Sequence, residues 1–94
     1  MKVGDCALCG RRAPMTFHHL VPRKTHRRTR IARRFSRAEL AAGIDVCELC
    51  HRAIHRFHDE LKLANELNTL DALRSDEALA RHARWAARQI VRVD

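Results

Sequence analysis

Ninety-four residues make a single small domain, whose apolar core is only marginally stabilising without a metal, disulfides or a second copy. Hydrophobic residues reach 46%, but many are alanine and the large aromatics stop at Phe17, Phe35, Phe57 and Trp85, so a structural staple is expected. The opening Met1-Lys2-Val3-Gly4-Asp5 has no apolar signal region, and no stretch nears the roughly 18 apolar residues of a membrane span; neither secretion nor membrane insertion is expected, and a cytoplasmic protein is.

The formal charge of +8 is lopsided. Residues 1–56 hold 13 Lys/Arg against 4 Asp/Glu, whereas residues 57–94 hold 6 against 7. A basic front half points to a polyanion partner, nucleic acid above all.

In chain order, residues 5–12 read as a turn carrying Cys6 and Cys9, with Gly10 free to close it. Met15 to Val21 reads as a short strand ended at Pro22. Residues 23–37 are the most basic stretch: Arg23, Lys24, Arg27, Arg28, Arg30, Arg33, Arg34 and Arg37, with no acid among them, fit phosphate contacts. Ser36 and Glu39 have capping-box spacing, so a short helix is expected over 37–42, with Gly43 as its terminator. A brief strand, Ile44-Asp45-Val46, then leads through Cys47 and Cys50 into a helix from about Leu49 to Leu63. Thr69 and Ser75 are expected to cap a short helix and a longer final one. The final helix carries a stripe of Leu79, Ala83, Ala86 and Ile90 with Trp85 beside it, read as core. The domain spans 1–94, with the site in 1–58 and a helical extension over 59–94.

Two constellations carry chemistry. Cys6, Cys9, Cys47 and Cys50 form two Cys-x-x-Cys pairs, the pattern of a structural Zn2+ site in a reducing compartment. The 37 residues between the pairs place a whole substructure between them. The second is His18-His19 on the strand with His51 and His55 on the helix. His51 and His55 are four apart and share a face, as two ligands of one metal do. On an ideal strand His18 and His19 point to opposite faces, so they cannot do the same job. His58 is expected at the surface near the phosphate path.

Cys-x-x-Cys, His-His-Leu-x-Pro and Cys-x-x-Cys-His-x-x-x-His together resemble the HNH endonuclease superfamily, in particular its short bacterial members with a four-cysteine zinc site. The resemblance runs from Cys6 to about His55, and more softly into a tail that includes Leu63-Ala64, Asn68-Thr69-Leu70 and Trp85. It implies a small α+β chain with a ββα-metal core and a C-terminal helical extension. It implies His18 as a ligand of a catalytic divalent metal, His19 as general base, and His51 and His55 completing the metal site. Imidazoles suit Zn2+, Ni2+, Co2+ or Mn2+ better than Mg2+. The asparagine that names the family has no counterpart at its usual place, since Asn65 and Asn68 lie in the tail. Asp45, a backbone carbonyl or His26 are the candidates for orienting the base.

The function expected is metal-dependent hydrolysis of DNA. A zinc module that binds nucleic acid without cutting is the rival, and it leaves the four histidines without a use. A zinc-stapled protein-interaction domain leaves the basic front half without one.

Overall fold

The computed structural model describes residues 2–91. Among them, three antiparallel strands, β1 (Val3–Asp5), β2 (Arg12–His19) and β3 (Gly43–Cys47), lie in the order β1-β2-β3. The two expected strands are thus joined by a third, in which Val3 pairs with Pro14 and Asp5 with Arg12. β2 begins earlier than the apolar run implied and ends at His19, so Leu20 and Val21 lie beyond it. The described α-helices follow the sheet or interrupt it: α1 (Thr29–Arg34), α2 (Arg37–Ala41), α3 (Glu48–Phe57), α4 (Glu60–Glu66), α5 (Leu70–Ser75) and α6 (Glu77–Ala86). The chain is α+β, and among the described residues no helix is long and apolar enough to cross a membrane.

β2 is covered on both faces. Ala13 and Met15 point one way and are buried with Cys6, Cys47 and Cys50. Thr16 and His18 point the other way and meet α3. Gly43 is opposite His19 in the ladder, and any Cβ there would collide with the His18 carbonyl and the Phe17 ring. Close strand approach, and not helix termination, is why this residue is glycine; α2 has already ended at Ala41. Gly10, by contrast, has φ of +80° and closes the first cysteine turn as expected.

The arginine-rich segment is held down by its apolar residues, Ile31 first and then Phe35. Ile31 on α1 is buried with Val21 and Ala64, while Arg28, Arg30, Arg33 and Arg34 around it stay exposed. α2 follows through the expected capping box: Ser36 accepts from the Glu39 amide, and the Glu39 carboxylate accepts from the Ser36 amide at 2.9 Å. That bond, with the Ser36 hydroxyl, holds the Glu39 carboxyl below its usual range.

The helix expected over 49–63 breaks at His58-Asp59. Asp59 caps a new helix by accepting from the Lys62 amide, and the turn carries Leu63 into the cluster of Ile54, Leu67, Leu73 and Leu79. Thr69 caps α5 as expected. Asp76, and not Ser75, caps α6; Ser75 is the last residue of α5. Asp76 also accepts from His58 at 2.9 Å, and the His58 side chain is only 9% exposed. His58 is therefore a buried strut between α3 and α6, not a surface residue near a phosphate path. Leu79 and Ala86 of the expected stripe are buried, but Ile90 lies beyond the end of α6 and is 91% exposed.

Candidate metal centres and the histidine cleft

Two clusters of metal-ligating side chains are built on the same elements. Cys6 and Cys9 sit in the turn after β1, Cys47 is the N-cap of α3, and Cys50 lies in its first turn. The turn is tied down by Gly10 N–H to the Cys6 carbonyl at 2.9 Å and by Ala7 N–H to the Asp45 carbonyl at 3.0 Å. All four cysteines are free thiols, and their sulfurs lie within 4.8 Å of one another. Cys9 Sγ and Cys47 Sγ are 3.8 Å apart. Sulfurs about 2.3 Å from one tetrahedral zinc are themselves separated by about 3.8 Å, so the donor set fits that ion. A disulfide would need about 2.05 Å.

The thiols are electrostatically unequal. Hydrogen bonding from Cys47 and then Cys50 holds Cys6 far below the ordinary thiol range. Burial pushes Cys9 up to about 11, and hydrogen bonding with Cys47 and Cys6 pushes Cys50 well above its ordinary value. One thiolate is accommodated by its neighbours; four require a cation among them.

Directly after Cys50 and one turn beyond it on α3, His51 and His55 face His18 of β2. Ring centroids are 5.3 Å apart for His18 and His51, 5.2 Å for His18 and His55, and 5.1 Å for His51 and His55. One nitrogen from each ring lies within 4.8 Å of the others. Small side-chain rotations bring such nitrogens to the about 3.3 Å spacing of a tetrahedral site with metal–nitrogen bonds near 2.0–2.1 Å. His18 is 1% exposed, and among the described residues neither of its ring nitrogens has a hydrogen-bond partner. An unpartnered buried imidazole is costly unless something else takes its lone pair. Burial, then the neighbouring His51, His55 and His19, lower its pKa to about 4, so it is neutral and able to act as a ligand. Burial followed by His55 lowers His51 too.

His19, on the other face of the strand, has its ring edge-on to Phe17 at 4.9 Å. Burial, and then Arg23 and His26, lower its pKa. It nonetheless shares one cleft of about 260 Å³ with His18, His51 and His55, because β2 ends there and the chain turns through Pro22. Arg23, Lys24 and Glu60 line the same cleft, and Lys24 pairs with Glu60 at 3.7 Å. A larger groove of about 860 Å³ runs along α3 past Phe57, His82 and Trp85; Thr16, His51 and His55 line it as well, but it reaches neither His18 nor His19.

Asp45 and His26, the side-chain candidates for orienting His19, are engaged elsewhere. Asp45 accepts from Lys2 Nζ at 2.7 Å. The His26 Nε2–H donates to the Val21 carbonyl at 2.7 Å, and its ring is 6.1 Å from that of His19. Among the described residues none hydrogen-bonds the His19 ring.

Arg23, Lys24, Arg27, Arg28, Arg30, Arg33, Arg34 and Arg37 are all exposed, and among the described residues only Lys24 pairs with a carboxylate. Arg34 donates to the carbonyl and side chain of Asn65 at 3.3 and 3.4 Å. Only Arg23 and Lys24 line the histidine cleft; the others lie in the turn before α1 and on α1 and α2. Sequence reasoning missed two residues here: Glu60, hidden in what reads as a continuous helix, and Thr16, an ordinary strand residue whose hydroxyl touches His51.

Over 87 residues, 92% of this chain and 76% of the relative, the sequence is 33% identical to the uncharacterized protein YisB of Bacillus subtilis (strain 168). The chain belongs to the YisB family. No family model matches it, and no solved structure matches it. Membership in the YisB family brings a relationship without an activity, so the chemistry has to be read from the side chains.

Proposed function

We propose that the chain is an HNH-type endonuclease with a ββα-metal core that hydrolyses phosphodiester bonds in DNA. In this reading Cys6, Cys9, Cys47 and Cys50 hold a structural zinc, which a reducing cytoplasm leaves open to them. His18, His51 and His55 hold a catalytic divalent metal, and His19 is the general base. One observation carries the reading. A buried histidine with two unpartnered nitrogens is ringed by two more, in a cleft that also contains a fourth histidine and two cations.

Arg23 and Lys24 draw a phosphate into the cleft, and the arginines of α1 and α2 hold the flanking backbone without reading bases. His19 takes a proton from water as the water oxygen attacks phosphorus and the bond to the leaving sugar oxygen breaks. When bound, the metal polarises the phosphate and stabilises the charge on the leaving oxygen. Three imidazoles offer nitrogen and no carboxylate oxygen, which favours Zn2+, Ni2+, Co2+ or Mn2+ over Mg2+.

The second reading is a zinc module that binds nucleic acid without cutting, favoured because no described residue orients His19. Incubating supercoiled plasmid with the protein across these metals, beside His19→Ala, separates the two. Metal-dependent cutting by the parent and not by the variant supports the nuclease; no cutting with any metal supports the binding module.

A further inference from the structure

Thr16 Oγ1 has two neighbours that constrain its single proton. The Val46 carbonyl lies at 3.0 Å, directly across the β2–β3 ladder, and His51 Nδ1 lies at 2.8 Å. A carbonyl oxygen only accepts, so the first contact takes the hydroxyl proton. The oxygen then has only lone pairs to offer His51, and a hydrogen bond there requires the proton to sit on Nδ1. If the hydroxyl pointed at His51 instead, two oxygens would face each other at 3.0 Å with no proton between them. Both contacts are satisfied by one arrangement alone.

We infer that Thr16 is a positioning residue that fixes His51 in the Nδ1–H tautomer, leaving Nε2 as the nitrogen that faces ligand duty beside His18 and His55. The chain of bonds runs from the His51 ring through Thr16 to the backbone of β3. It sets both the proton position and the ring orientation, as outer-shell partners of metal-binding histidines do. The inference rests on the metal reading of the histidine cluster, but its first test depends neither on a metal at the histidines nor on cleavage.

That test is the nitrogen chemical-shift pattern of His51 in protein whose cysteine site is zinc-loaded and whose histidine site is metal-free. It is recorded at about pH 8, above the ordinary histidine range. The parent and Thr16→Ser, which keeps the hydroxyl, are expected to show the Nδ1–H form. Thr16→Val, of matching shape and well suited to a strand, is expected to lose it. Unfolding curves for all three proteins check that the sheet is intact. Co2+ titration of the same samples is then expected to show affinity at the histidine site lowered about 10–100-fold in Thr16→Val and restored in Thr16→Ser. An Nε2–H parent, or a Thr16→Val protein with an unchanged His51 pattern, overturns the inference. A parent with the expected tautomer that binds no Co2+ supports the Thr16 assignment and removes the metal reading instead.

Discussion

The cysteine cluster and the histidine cluster are neighbours on one helix, yet they differ in kind. Three of the four cysteines are buried, and the set closes on itself with thiol donors at zinc-like spacing. The histidine set has one buried member, one half-buried and one exposed; it opens into the cleft it shares with His19, and His51 and His55 also line the larger groove along α3. Closed four-thiolate sites hold structure, whereas three-ligand sites with an open position leave room for a substrate. The difference lies less in the metal than in the surroundings: a turn wraps the first site, and the end of a strand exposes the second.

The strongest way to break the comparison is to remove the zinc that the cysteines are proposed to hold. Because binding energy in such sites is folding energy, chelation or Cys50→Ser is expected to abolish cooperative thermal unfolding altogether. The circular dichroism melt is the measurement, and a chelated protein with an unchanged melt would refute the structural role. The histidine site should respond in the opposite sense. His19→Ala is expected to slow single-turnover cleavage by about 10²–10⁴-fold with metal affinity and melting unchanged. His55→Ala should weaken metal binding, with partial rescue of the rate by excess metal. Parental rates from His19→Ala would remove it as the base.

A smaller effect belongs to the basic segment. Replacing Arg27, Arg28, Arg33 and Arg34 with alanine should lower the salt dependence of DNA binding by about 0.9 in log–log slope for each phosphate that is no longer neutralised. The fold should survive, since Ile31 and Phe35 pack α1 against the core, and among the described residues the hydrogen bonds lost are those of the exposed Arg34–Asn65 pair. An unchanged slope would move the interface elsewhere.

The smallest effect concerns the strut behind both sites. Burial raises the Asp76 carboxyl, but hydrogen bonds from His58 and the Leu79 amide outweigh it and leave the pKa below its usual value. A depressed folded pKa adds stability above the unfolded value of about 3.9 and loses it as pH falls through the folded one. Asp76→Ala is expected to cost about 1 kcal/mol at neutral pH, the usual value of a missing N-cap. Denaturant titrations of both proteins should converge as the pH drops below about 4. A difference independent of pH would mean that the charge contributes nothing.

The two clusters were legible in the sequence because side chains able to share one metal recur at fixed spacings. Cys-x-x-Cys and His-x-x-x-His each bring two donors to one side of a turn or helix, and the three-dimensional fold only has to join the halves. The Ser36 and Thr69 caps were legible for a similarly local reason. What escaped depended on choices between near-equal neighbours or on distant contacts. Ser75 and Asp76 can both cap, and the longer reach of Asp76 to His58 decides between them. Apolar spacing runs through His58-Asp59 without a gap, so the break between α3 and α4 appears only when Leu63 has to reach Ile54. Gly43 looks like a helix end until the Phe17 ring and His18 carbonyl are seen against it. Thr16 carries no motif at all; its part depends on a residue 35 positions away.

Cys50 and His51 are consecutive on α3, and this adjacency sets a phase between the two clusters. A helix advances about 100° per residue, so one residue inserted between them would swing His51 and His55 about a quarter-turn around the axis. Their mutual spacing would survive, and so would the cysteine cluster, but His18 would face the wrong flank of the helix. Insertions between Pro22 and Ala42 carry no such penalty, since that stretch leaves β2 and returns to β3 through short helices outside the register. Length variation among relatives should therefore gather in that arm and be absent from the stretch that joins Cys47 to His51.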